Sequence, residues 1–128
     1  MLPLIILTGP TTSGKSETAL ALARKLDTEI ISADSLQVYK YFDIGTAKPS
    51  LSAREEIRHH LIDILDPDEE FNAFDFKLRA LKIISELIDR DKIPILVGGT
   101  GLYIKVLTED YDCAEGGSPE IREKIQQD

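Results

Sequence analysis

Basic stretches are missing from this sequence. Its 128 residues hold 15 Lys and Arg against 23 Asp and Glu, for a net charge of −8. No segment gathers the cations that would neutralise phosphates, which by itself argues against nucleic-acid binding. Cysteine is nearly absent. The single Cys113 excludes an internal disulfide framework, suits a reducing compartment, and reads as an incidental thiol. Long apolar runs are missing as well. None approaches the roughly 20 residues that span a bilayer. The first residues lack the basic leader of a secretory signal and already read as a strand. Histidine is confined to the adjacent pair His59-His60, and adjacent histidines rarely converge on one ion, so no structural metal is expected. There is no internal repeat. What remains is the expectation of a soluble, cytosolic α/β protein with no membrane partner, apolar enough at 42% to bury a core.

What is present begins at residue 9. Gly9, Pro10, Thr11, Thr12, Ser13, Gly14, Lys15 and Ser16 fit G-x-x-x-x-G-K-[ST], the phosphate-binding loop. The apolar Leu4-Ile5-Ile6-Leu7 precedes it as a buried strand, and a helical pattern follows from Glu17 to Leu26. The glycines let the backbone close around phosphate oxygens. The amides at the helix start face the anion, and the helix dipole favours its charge. Lys15 offers a mobile cation, and the Ser16 hydroxyl offers a ligand to Mg²⁺. Such a loop selects a phosphorylated compound without saying which.

Further along, Glu29 to Ser32 reads as a second strand, ending at Ala33-Asp34. Residues 35–53 read as loop, with Ser52 capping a short helix through Arg58. Leu61 to Leu65 reads as a short strand or turn, and Asp63, Asp66 and Asp68 as surface turn residues. Asn72 and Asp75 start a helix from Ala73 to about Arg90. Its spacing predicts a buried face of Phe74, Leu78, Leu81, Ile84 and Ile88. Ile93 to Val97 is the next strand. Gly98-Gly99-Thr100-Gly101 follows, then a helix from Leu102 to Leu107. The alternation predicts a parallel sheet with helices on both faces, of the phosphate-loop α/β type. Residues 1–112 form this core. Residues 113–128 read as the start of a helical continuation, with Ser118, Pro119 and Glu120 opening a helix whose stripe at Ile121 and Ile125 has little to pack on. With three convincing strands, the sequence reads as the N-terminal part of a longer, incomplete sheet.

No carboxylate ends the Ile93–Val97 strand, which weakens an ATPase or GTPase reading. A hydroxyl, Thr100, stands there instead. Asp34 occupies the end of the second strand, at the sheet edge where ligands of open α/β folds bind. It reads equally as a proton acceptor, a turn cap or a water-mediated Mg²⁺ ligand. Tyr39, Tyr41 and Phe42 read as packing on the domain more readily than as lining a pocket.

These residues resemble a family. The phosphate loop, Ile31-Ser32-Ala33-Asp34-Ser35 leading to Gln37-Val38-Tyr39, Asp43-Ile44-Gly45-Thr46-Ala47-Lys48-Pro49, His59-His60-Leu61-Ile62-Asp63 and Val97-Gly98-Gly99-Thr100-Gly101-Leu102-Tyr103 are similar to the tRNA dimethylallyltransferases, also called tRNA isopentenyltransferases. The resemblance implies transfer of a dimethylallyl group from its diphosphate to N6 of the adenosine beside the anticodon of tRNA, with Mg²⁺ as cofactor. It implies that the loop holds diphosphate, that Asp34 is the base, and that Asp34, Ser35, Leu36, Gln37 and Thr100 contact tRNA. Thr100 would donate a hydrogen bond near the reacting centre. Such enzymes are more than twice this length, and the remainder would supply the tRNA grip and basic residues, as a monomer. Two other readings stay open: a small-molecule kinase using ATP, and a nucleotide-binding module without catalysis.

Overall fold

A computed structural model of the chain describes residues 4–8, 14–41 and 48–115, with side chains through residue 109. Residues 9–13 of the phosphate loop, the 42–47 segment with Phe42 and Gly45, and the stretch with Ser118, Ile121 and Ile125 lie outside the described residues.

Among the described residues, four parallel strands carry the fold. They are β1 (Ile5–Thr8), β2 (Ile30–Ser32), β3 (His59–His60) and β4 (Ile95–Gly98), in the spatial order β1-β4-β2-β3. Four helices connect or follow them: α1 (Lys15–Leu26), α2 (Leu51–Glu56), α3 (Ala73–Asp89) and α4 (Gly101–Glu115). Ile5 to Thr8 pair with Ile95 to Gly98, and Ile30 to Ser32 pair with Ile95 to Val97 on the other side. β4 therefore separates the first two strands. The β1-to-β2 step runs one way across the sheet and the β3-to-β4 step runs back. Right-handed crossovers then place α1 and α3 on opposite faces, the two-faced arrangement expected from the sequence.

The three strands β1, β4 and β2 are largely apolar on both sides because both faces are covered. Ile31, Ile95 and Leu96 are fully buried. α1 meets the sheet through small residues, Ala19 and Ala23, which bring its axis close. It stops at Asp27, whose left-handed backbone (φ 51°) turns its N–H onto the Ala23 carbonyl.

α3 begins where its chemistry dictates. The Asn72 side chain accepts from the Asp75 N–H at 2.9 Å, and Asp75 accepts from the Asn72 N–H at 3.0 Å, a reciprocal capping box. Its buried face differs from the expected one. Phe76, Ala80, Ile84 and Leu87 face inward, whereas Phe74 and Leu78 are exposed. The choice is made by α4: Phe76 stacks on Tyr103 with ring centres 4.6 Å apart, and Phe71 meets the same ring edge-on.

Of the two readings of Leu61 to Leu65, strand or turn, the structure has the second, a bend; the strand lies just before it at His59–His60, paired with Ile30 and Ile31. Two other expectations are corrected. The helix read from Ser52 is capped by Ser50, which accepts from the Ala53 N–H at 3.1 Å, and ends at Glu56. The helix read at 102–107 extends from Gly101 to Glu115.

Candidate functional site

All four strands point the same way, so the segments that follow β1, β2 and β4 emerge at one edge. α1 starts there. Gly14 holds φ 76°, a left-handed backbone that side-chain-bearing residues rarely adopt, and no side chain caps the helix. The first-turn amides have no intrahelical partner and face the edge with the positive dipole end. Lys15 and Ser16 are the first two helical residues.

The β2 tip is fastened to the β4 tip. Gly98 lies against Ala33 so closely that a β-carbon on it would stand 2.1 Å from the Ala33 carbonyl oxygen. The ladder runs on past the strands: Ala33 N–H donates to Val97 O at 2.7 Å and Thr100 N–H to Ala33 O at 3.2 Å. The Thr100 hydroxyl accepts from the Ser35 N–H at 2.9 Å and donates to Ser35 Oγ at 3.4 Å. Any side chain at position 98 is therefore sterically excluded.

Asp34 does two things at once. Its Oδ1 accepts from Leu36 N–H at 2.8 Å and Gln37 N–H at 3.1 Å, capping the turn that follows β2. It also lines a cleft of about 310 Å³ together with Lys15, Ser16, Ser32 and Gln37. Gln37 Oε1 is steadied by the Ser32 hydroxyl at 3.0 Å. The same cleft is also lined by the apolar Leu20, Ile30, Pro49, Ala53 and Ile62. A lining that combines charged and apolar groups suits a ligand with a charged head and a hydrocarbon body. Among the sequence-predicted residues, Lys15, Ser16, Asp34 and Gln37 converge on the cleft. Ser35, Leu36 and Thr100 lie behind or beside its rim and do not line it. Tyr39 donates from its hydroxyl to Glu69 O at 3.0 Å, and Tyr41 is exposed; neither lines the cleft.

Two features of the site escape a reading of the sequence. His59 lines the cleft, with Nδ1 2.6 Å from the Ile57 carbonyl. Burial pushes its imidazole below the ordinary value, against the raising influence of that carbonyl. The second is an ion cluster. Lys48, almost wholly buried, bonds Asp63 Oδ1 and the Tyr39 carbonyl, the latter at 2.8 Å, while Arg54 bonds Asp63 Oδ2 at 2.7 Å. Burial pushes the Asp63 carboxyl up, but the two cations outweigh it and hold it below its ordinary value. The expectation that Asp63 is a surface turn residue is thereby corrected; Asp66 and Asp68 are exposed. Asp63 belongs to a string that already stood out, and the pairing partner was invisible because it lies 15 residues away.

His60 faces away from the cleft residues and pairs with Glu29 at 2.7 Å, which also accepts from Arg90 at 3.0 Å. No group of three or more His, Cys, Asp or Glu gathers into a metal site among the described residues. None of their helices is long and apolar enough to cross a membrane.

Fold and cleft together define an α/β protein with a cleft beside a helix start at the carboxyl edge of a parallel sheet. Comparison with known proteins then places it. The sequence model of the IPP transferase family matches residues 37–128, and the chain belongs to that family. It is 50% identical over 124 residues to the tRNA dimethylallyltransferase of Syntrophobacter fumaroxidans, covering 97% of this chain and 36% of that protein. The crystal structure of a tRNA delta(2)-isopentenylpyrophosphate transferase from Staphylococcus epidermidis superposes with a TM-score of 0.81 at 51% identity, covering 84% of this chain and 36% of its own. The full-length tRNA isopentenylpyrophosphate transferase of Bacillus halodurans gives 0.82 at 42% identity, over 94% of this chain and 40% of its own. The chain thus spans somewhat over a third of the length of these relatives.

Proposed function

We propose that the full-length protein transfers a dimethylallyl group from dimethylallyl diphosphate to N6 of the adenosine adjacent to the anticodon of tRNA. One observation carries the reading: Asp34, Lys15 and Ser16 line the same cleft. Family membership and the names of the relatives support the reaction class.

The diphosphate seats on the loop of residues 9–16, against the α1 start, with Lys15 beside it. The bond between the allylic carbon and the diphosphate oxygen breaks, and the electron pair leaves with the diphosphate. N6 forms the new bond to that carbon and gives up a proton. Asp34 accepts it, and Oδ2 is the oxygen available, since Oδ1 already holds the turn. Mg²⁺ suits this donor set, because it prefers one or two protein oxygens together with phosphate and water. Ser16 would hold it, and when bound it neutralises charge growing on the leaving group. Thr100 acts as a positioning residue here, fixing the Ser35 turn. With Ser35, Leu36 and Gln37 it belongs to the turn beside the cleft that would meet tRNA. A tRNA substrate supports a cytoplasmic site of action.

A kinase using ATP is disfavoured because the end of β4 carries no metal-binding acid: Gly98 has no room for a side chain, and Gly99 and Thr100 follow it. The deciding experiment incubates the full-length protein with Mg²⁺, tRNA and labelled dimethylallyl diphosphate or labelled ATP. Label entering tRNA from the allylic donor is the expected result. Label from ATP alone, or from neither, overturns the reading.

A further inference from the structure

Three of the apolar residues that line the cleft, Pro49, Ala53 and Ile62, come from the connections between β2 and α3, and one ion cluster adjoins all three. Pro49 follows Lys48 directly, Ala53 precedes Arg54 on α2, and Ile62 precedes Asp63. Each member of the cluster is thus the sequence neighbour of a residue on the cleft wall. The Ile62 contact is the most exacting. Leu61 (φ 66°) and Asp63 (φ 56°), on either side of it, both hold a left-handed backbone that residues with side chains seldom adopt. Such a backbone persists only where its surroundings over-determine it. Here they do: Asp63 N–H donates to the Gln37 carbonyl at 3.0 Å, and both carboxylate oxygens of Asp63 take a cation.

Burying two cations around one carboxylate is a weak route to stability, because desolvation offsets much of the attraction. The Nε of Arg54 is also buried without a partner among the described residues. The cluster is better explained by what it holds in place. We propose that the Lys48–Asp63–Arg54 cluster is a positioning device that fixes the part of the cleft wall formed by Pro49, Ala53 and Ile62 and so sets the length of allylic chain the cleft accepts. The inference rests on the prenyl-transfer reading given above. An apolar pocket of fixed shape discriminates by roughly 10–200-fold per methylene. A wall free to shift loses that discrimination.

The test uses the full-length protein and two donors, dimethylallyl diphosphate with five carbons and geranyl diphosphate with ten. Lys48→Met removes the central cation. Arg54→Met removes one arm from a helix that is partly solvent-exposed, and tests the same idea if Lys48→Met does not fold. In a folded variant the ratio of kcat/KM for the ten-carbon donor over the five-carbon donor should rise at least about tenfold, with the five-carbon loss carried mainly by KM. Arg54→Met should move the ratio in the same direction by less. A purely structural role would lower the melting temperature and the active fraction equally for both donors. A folded variant with an unchanged donor ratio therefore overturns the inference. Unmutated protein that transfers neither donor overturns the prenyl-transfer reading itself, and the inference with it.

Discussion

Ala33 and Gly98 meet backbone to backbone, at a distance that leaves no space for a β-carbon between the two strand tips. Gly98→Ala must push the tips apart, since the obstructing atoms are main chain and cannot rotate away. The expected cost is about 1–3 kcal/mol, the usual range for overpacking. Urea denaturation of wild type and variant measures it. The same displacement moves the turn bearing Asp34, so transfer activity should fall further than stability does.

Asp34 combines a turn cap with a place on the cleft, and two substitutions separate these roles. Asn keeps an oxygen at the position of Oδ1 and so keeps the bonds from Leu36 and Gln37. It removes the proton acceptor. Asp34→Asn should therefore retain its melting temperature and its diphosphate binding while transfer drops at least about a hundredfold. Asp34→Ala should lose the same activity and roughly a further 0.5–1.5 kcal/mol of stability per hydrogen bond lost. Single-turnover kinetics with calorimetry distinguishes the two. Full turnover in the Asn variant would reassign Asp34 to the turn alone.

His59 makes stability depend on pH in a defined window. Its folded-state pKa is lowered from 6.5, with burial the largest cause. The unfolded chain therefore begins to bind this proton at a higher pH than the native state does. As pH falls through 6.5 the unfolded state gains, and stability declines until the native imidazole protonates too. The melting temperature should drop between about pH 7.5 and pH 5.5, above the range where ordinary carboxylates titrate. His59→Gln should flatten that slope while leaving the His60–Glu29 pair intact. Parallel curves for variant and wild type would exclude the assignment.

How much of this was legible in the sequence follows the range of the interactions. The α3 start could be read because Asn72 and Asp75 act on neighbouring amides. Its buried face was misjudged because a 17-residue amphipathic helix offers two adjacent stripes, and the bulky Phe74 and Leu78 outweigh Ala80 in any count by hydropathy. Only contact with Tyr103 on α4 decides between them. β3 escaped notice because two histidines at a sheet edge have no apolar alternation to announce them. The position of β4 between β1 and β2 is a matter of topology, which no local spacing encodes. At the site, Lys15, Ser16 and Asp34 were readable as types at strand ends and a helix start. The Lys48–Asp63 pair was not, since each charge looks like solvated surface until the fold brings the other to it.

The bonds from Thr100 to Ala33 and Ser35 have a mechanical meaning. Thr100 sits immediately before α4, so the loop that presents Asp34 is geared to that helix. That helix in turn packs along α3. The Asp34 turn is thus tied through a single threonine to the α3–α4 layer.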